Sequence, residues 1–181
     1  MTDCNAVSTP LDIGTKLVKG NAWEDSDGEK PPYRELVGCI LYLSISTRPD
    51  ISHAASVLGQ FNNCFNRTHW NAAKRVLRYL KGTSDLGILY THERSDLAGY
   101  VDADWAGSTH DRRSFTGFAF ILSGGAIVWD SRKQRNVALS TTEAEYMAMA
   151  EAAKEVVHLR HFLVELGLND VNSITLFVDN I

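Results

Sequence analysis

Cysteine is scarce in this chain: Cys4, Cys39 and Cys64 share no paired spacing. An odd, unpatterned set excludes a disulfide framework and a cysteine zinc site, and reduced thiols are expected. Long apolar runs are missing too. None approaches the ~18 residues that cross a bilayer, and no basic start followed by an apolar block opens the chain. Neither membrane insertion nor secretion is expected. Histidine offers no metal-ligand spacing, since His158 and His161 lie three apart without a third nitrogen or sulfur ligand. The four prolines all lie at or before Pro49. Acids are absent between Arg67 and Lys81, a stretch with five Lys or Arg residues in a chain of net charge -4. The distribution of charge therefore says more than its sum.

The 181 residues, 44% hydrophobic and 22% charged, suffice for one domain with a substantial core or two small ones. Residues 1–32 are polar and aperiodic and read as a flexible lead-in. Tyr33 to about Ser46 reads as a buried helix, ended before Pro49, whose ring disfavours helix at Arg48. Asp50 offers an N-cap for a second helix with Ile51, Ala54, Ala55, Leu58 and Phe61 at helical spacing, stopping at Asn62–Asn63. Thr68 offers a cap for a third, which Gly82 closes. On that third helix Lys74, Arg78 and Lys81 form a basic stripe and Ala73, Val76, Leu77 and Leu80 an apolar one, so it can rest on a core and face phosphate. Residues 33–87 thus read as a small helical subdomain.

From Ile88 the period shifts toward two. Ile88–Tyr90, Leu97–Asp102, Thr116–Leu122 and Ala126–Trp129 read as strands, with Ser123-Gly124-Gly125 turning the last pair into a hairpin. A long helix from about Thr141 to Leu166, stopped by Gly167, precedes a final strand from Ser173 to Val178. A right-handed crossover would set that strand beside the first. The fold class expected is α+β leaning α/β, with residues 88–181 as the second domain. A further cationic cluster, Arg112, Arg113, Arg132, Lys133 and Arg135, falls in this half. Gly82, Gly124, Gly125 and Gly167 read as turn and cap glycines, and Trp70, Trp105 and Trp129 as core residues.

Three carboxylates stand in ordered motifs: Gly99-Tyr-Val-Asp102-Ala-Asp-Trp-Ala-Gly107, Ser140-Thr-Thr-Glu-Ala-Glu145-Tyr-Met-Ala148, and Leu176-Phe-Val-Asp179-Asn180. One acid ends an apolar strand, one sits early in a helix and one ends another strand. Such acids can converge on one sheet edge, where hard cations prefer oxygen ligands. Asp104 shares a strand side with Asp102, so it either assists through water or substrate or caps the turn before Gly107. Ser140 and Glu143 fit a capping box. Glu145, one turn inside the helix, has no such structural task. Glu151 and Glu155 read as surface acids within reach of Lys154. A strand-ending Asp179–Asn180 alone would ordinarily be a turn.

These motifs, with Tyr33-Arg-Glu-Leu-Val-Gly38, Leu41-Tyr-Leu, Thr47-Arg-Pro-Asp50, His69-Trp70, Leu77-Arg-Tyr-Leu-Lys-Gly-Thr83 and Gly87-Ile-Leu-Tyr90, resemble the C-terminal part of copia-type retrotransposon Pol polyproteins. The resemblance implies that residues 33–87 are the thumb-like end of reverse transcriptase and that residues 88–181 are a ribonuclease H domain lacking its C-terminal elements. It implies metal-dependent endonucleolytic hydrolysis of RNA in RNA–DNA hybrids, with two Mg²⁺ ions, or Mn²⁺ in their place, on Asp102, Glu145 and Asp179. It further implies template-primer contacts through Lys74, Arg78, Lys81, Arg112 and Arg113. Upstream fingers and palm would be the partners in the full polyprotein, in a cytoplasmic virus-like particle or the nucleus. The polymerase's own acids would lie in that palm, so no DNA synthesis is expected from this chain alone.

The family's fourth acid, on a later helix, is not in this sequence. The alternative reading is therefore a non-catalytic nucleic-acid-binding remnant of a decayed or incomplete element. An Asp-x-Asp phosphatase, suggested by Asp102-Ala-Asp104, lacks the usual Thr shortly after the second Asp and a Gly-rich phosphate loop.

Overall fold

The structure is a computed structural model that describes residues 3–12, 17–19, 23, 29–92, 96–108, 110–168 and 174–179. The chain divides between Gly87 and Ile88 into two compact units. Among the described residues it is an α+β fold of four α-helices and one mixed four-stranded sheet. No described helix is long and apolar enough to cross a membrane.

The first unit holds α1 (Tyr33–Ser46), a 3-10 turn (Pro49–Ile51), α2 (Ser52–Gly59) and α3 (Arg67–Gly82). Tyr33, Val37, Ile40 and Ser44 form the buried stripe of α1. Tyr33, Val37 and Ile40 meet Ile51, Ala54, Leu58, Ala73 and Val76 in one core, where the Tyr33 and Phe65 rings stack at 4.5 Å. The Tyr33 hydroxyl donates to the Leu58 carbonyl at 2.9 Å, and burial raises its pKa.

Capping departs from expectation at two places. Asp50 caps nothing, because its carboxylate is taken by Arg48 at 2.9 and 2.7 Å and by the Tyr79 hydroxyl at 2.7 Å. Burial would raise the Asp50 pKa, but these bonds outweigh it and hold the carboxyl below its usual range. The cap of α3 is Asn66, not Thr68. Asn66 Oδ1 accepts from the Thr68 and His69 amides while His69 Nδ1 accepts from the Asn66 amide at 3.1 Å, a reciprocal box with histidine in the usual Glu or Gln place.

The buried stripe of α3 runs through His69, Ala72, Ala73, Val76 and Tyr79, so Leu77 falls outside it. The opposite, basic stripe is engaged by the lead-in, which is not merely flexible. Arg78 donates to the Asn5 carbonyl at 2.7 Å, Lys81 to the Cys4 carbonyl at 2.9 Å and Arg75 to Thr9 Oγ1 at 2.9 Å. Val7, Leu11, Leu17 and Trp23 pack partly buried on the helical core. An irregular segment must find donors for its carbonyls, and the cations of α3 supply them.

The second unit holds β1 (Ala98–Asp104), β2 (Phe115–Leu122), β3 (Gly125–Lys133), α4 (Thr141–Glu165) and β4 (Thr175–Val178), with strand order β3-β2-β1-β4. The hairpin turn carries positive φ at Ser123 and Gly124, the geometry that matches the twist of a two-residue connection. Parallel pairing of β1 with β4 sets Val101 opposite Val178. Ser173, the expected start of β4, lies outside the described residues.

Ile88–Tyr90 is not a strand. Thr91 donates to the Ser123 carbonyl at 2.8 Å and the Tyr90 hydroxyl to the Ala126 carbonyl at 2.8 Å, so the segment rests on the hairpin by isolated bonds. Gly125 leaves room for that contact, since a Cβ there would come within 2.6 Å of the Tyr90 ring and displace it. Alternation in β1 sends Gly99 and Val101 into the core with Phe118, Phe120, Ala148 and Ala152, while Tyr100 and Asp102 stay exposed. A Cβ at Gly99 would meet Leu176 at 2.5 Å and Phe120 at 2.7 Å, so only glycine fits. Gly167, at φ +86°, turns the chain out of α4.

Candidate active site

Asp102 lies one residue past Val101, and Asp179 one past its parallel partner Val178, so the two acids stand at corresponding positions of adjacent strands. Neighbouring strands run about 4.8 Å apart. Both side chains are exposed and line one shallow cleft of about 450 Å³ with Tyr100 and Phe177, whose rings stack at 5.1 Å.

Glu145 comes from α4. Ser140 Oγ accepts from the Glu143 amide at 3.1 Å and fixes the first turn. Glu143 folds back as expected, but onto the Leu139 amide at 2.6 Å, one residue before the N-cap. Gln134 braces the same turn. Its Nε2 donates to Thr116 Oγ1 and to the Ala144 carbonyl, each at 3.0 Å, joining β2 to α4 beside Glu145. Sequence reasoning missed Gln134, because nothing local marks a glutamine as buried.

Glu145 is only 7% exposed, and its Oε2 is buried with no hydrogen-bond partner among the described residues. Burial raises its pKa, the charges of Asp102 and Asp179 add to the rise, and the Ala103 amide opposes it. That amide also donates to Asp102 Oδ1 at 2.9 Å, so Asp102 and Glu145 converge on one backbone group. Three acids thus interact from three elements. They are not closed into a cage: among the described residues no three His, Cys, Asp or Glu side chains are grouped closely enough to hold a metal ion. The donor set still suits a hard cation, being all oxygen with one buried, unpartnered carboxylate oxygen. Asp104 is exposed, and its carboxylate rests where a Cβ on Gly107 would stand, 2.0 Å away.

The cations divide. Lys133 pairs with Asp111 at 2.8 Å and Arg113 with the same carboxylate at 3.6 Å. Burial opposes ionisation of Asp111, but Lys133, Ser108 and the Arg113 amide pull its pKa down to about 2. Arg132 pairs with Asp130 and Glu151, and Lys154 with Glu151. Arg112 is held instead over the Trp105 ring, 5.9 Å from its centroid. Trp105 is 42% exposed and is not a core residue, because it opens the turn after β1. Lys74, Arg78 and Lys81 belong to the first unit. Lys74 lies 5.8 Å from the Trp70 ring centroid, and the other two bind lead-in carbonyls.

The chain is 43% identical over 173 residues, 93% of its length, to a retrovirus-related Pol polyprotein from transposon TNT 1-94 of Nicotiana tabacum. It is 38% identical over its whole length to the Pol polyprotein from transposon RE2 of Arabidopsis thaliana. The chain belongs to the retrovirus-related Pol polyproteins of copia-type transposons. It spans 13% and 12% of those two relatives. A protein named secreted RxLR effector protein 161, from Plasmopara viticola, is 52% identical over 129 residues, 71% of this chain and 91% of that protein. No family model and no solved structure matches.

Proposed function

We propose that the second unit is the ribonuclease H-like part of a retrotransposon polyprotein and hydrolyses the RNA strand of RNA–DNA hybrids. The observation that carries this reading is Glu145, buried with an unpartnered oxygen and raised in pKa by Asp102 and Asp179. A structural acid at that place would have a cation or amide beside each oxygen. Asp102, Glu145 and Asp179 would hold Mg²⁺, or Mn²⁺ in its place, which when bound supplies neutralising charge on the scissile phosphate and a water of lowered pKa. Glu145 comes from a helix braced by Gln134 and Ser140, so its carboxylate is positioned by packing, whereas Asp102 and Asp179 are positioned by strand register. The helical unit would serve as the thumb-like end of reverse transcriptase, and in the full polyprotein the upstream fingers and palm would deliver template-primer.

The test is cleavage of the labelled RNA strand of a hybrid with Mg²⁺, comparing the chain, its Asp102→Asn variant and a version extended with downstream polyprotein sequence. The expected outcome is cutting that the substitution reduces to background. Equal cutting by Asp102→Asn, or an extended version that binds hybrid without cutting, would overturn the catalytic reading, and the second outcome would replace it with the nucleic-acid-binding remnant.

A further inference from the structure

The turn after β1 presents a feature that the three acids do not explain. Trp105 lies three residues beyond Asp102, yet it is 42% exposed. Its indole Nε1 donates to the Ala138 carbonyl at 3.3 Å, which ties it to the segment that enters α4 and so to the element carrying Glu145. An exposed tryptophan pinned by its one donor keeps a ring face available at low conformational cost.

The backbone around it is strained. Ala106 and Arg112 both hold positive φ, 53° and 58°, which costs a non-glycine residue roughly 1 kcal/mol or more each. Both are locked by hydrogen bonds: the Ala106 amide to the fully buried Ser114 hydroxyl at 3.1 Å, and the Arg112 amide to the Ser108 carbonyl at 2.9 Å. The Arg112 guanidinium lies over the Trp105 ring. Its neighbours Arg113 and Lys133 are neutralised by Asp111, and Arg132 by Asp130 and Glu151. Among the described residues Arg112 makes no ion pair with a carboxylate. Two strained residues thus hold together, at the end of the acid-bearing strand, an exposed indole and a cation with no carboxylate partner among the described residues.

We propose that Trp105 and Arg112 form a nucleic-acid contact beside Asp102, with the indole stacking on a base or sugar of the hybrid and the guanidinium taking the adjoining phosphate. This rests on the hybrid-cleaving reading and names a substrate contact for it. Stacking on an aromatic ring and charge on phosphate are separable, since the first tolerates salt and the second does not.

The experiment measures affinity of the full chain for a fluorescein-labelled RNA–DNA hybrid in EDTA, where no cleavage occurs. Trp105→Ala is expected to weaken binding about tenfold, Trp105→Phe to restore most of it, and Arg112→Gln to reduce the salt slope by about one phosphate contact. Hybrid should also quench less tryptophan emission in Trp105→Phe than in the unmodified chain. Circular dichroism melts confirm that the Phe variant is folded. Unchanged affinity and quenching in Trp105→Phe and Trp105→Ala, with cleavage of hybrid by the unmodified chain intact, would overturn this proposal and leave the nuclease standing. Absence of any hybrid binding by the unmodified chain would overturn both.

Discussion

Replacing Glu145 with Gln should stabilise the metal-free protein while abolishing hybrid cleavage. The side chain is 7% exposed, one oxygen has no hydrogen-bond partner among the described residues, and two further carboxylates act on it. Like charges near a protein surface interact through an effective dielectric near 20, so close carboxylates repel by about a few kcal/mol before screening. Exposure of Asp102 and Asp179 screens much of that, and the Ala103 amide, which favours the ionised form, is partly lost to the variant. A net gain of about 1 kcal/mol remains. For a unit of this size that raises Tm by ~4–8 °C, readable by calorimetry of the full chain in EDTA at pH 7. The pH dependence has a definite sign. Because the folded pKa lies above the unfolded 4.5, the repulsion is absent below about pH 4.5 and fully felt once pH exceeds the folded value. The advantage of the Gln variant should therefore vanish in acid and grow on the way to neutrality. A variant that melts lower than the unmodified chain at pH 7, or whose advantage is unchanged at pH 4, would show that Glu145 has a structural partner and refute the reasoning.

In the helical unit, Arg48→Ala should cost about 3 kcal/mol in urea unfolding. It strips Asp50 of both guanidinium bonds and leaves the Thr83 carbonyl and hydroxyl without their donors at 3.0 and 2.6 Å; a loss under about 1 kcal/mol would mean that water replaces the network. His69 is buried and burial lowers its pKa, so it contributes stability that is complete above about pH 6.5 and lost as pH falls toward the folded value. Its protonation would also set a donor against the Asn66 amide. His69→Gln should flatten the stability profile between pH 6.5 and 5, and an unchanged slope would assign that titration elsewhere.

The elements legible in the sequence are those whose signal is local. Gly167 ends α4 and Ser123–Gly124 turns the hairpin because left-handed backbone is a property of single residues. The mispredicted caps have the opposite cause. Asp50 had a cap's chemistry and position, but Arg48, held by Thr83 at the far end of α3, claimed its carboxylate first. Asn66 outcompeted Thr68 because a buried histidine three residues on completed a box that ordinarily needs Glu or Gln. The lead-in looked featureless since two of its three bonds to the cations of α3 are made by backbone carbonyls, which every sequence has, and the third by a single threonine hydroxyl. Ile88–Tyr90 has strand composition but rests on the turn of the hairpin, where only isolated bonds are on offer.

The acids were legible for another reason: strand and helix ends could be located, and register then fixed which carboxylates share a sheet edge. What could not be read was their inequality. Asp102 and Asp179 are exposed, while Glu145 is buried on a helix whose first turn Gln134 braces and whose buried face is Ala144, Ala148 and Ala152. Small residues at that spacing let α4 approach the sheet closely enough to remove one carboxylate oxygen from water without giving it a hydrogen bond. Burial of that kind lowers stability wherever it serves only packing, as alanine or glutamine at the same position would serve better. The geometry therefore argues for a charge-binding role more strongly than the presence of three acids does. It is also why the exposed Trp105 and Arg112, which makes no ion pair among the described residues, stand out in the same unit: each is a local violation of packing or charge pairing that the surrounding residues are arranged to maintain.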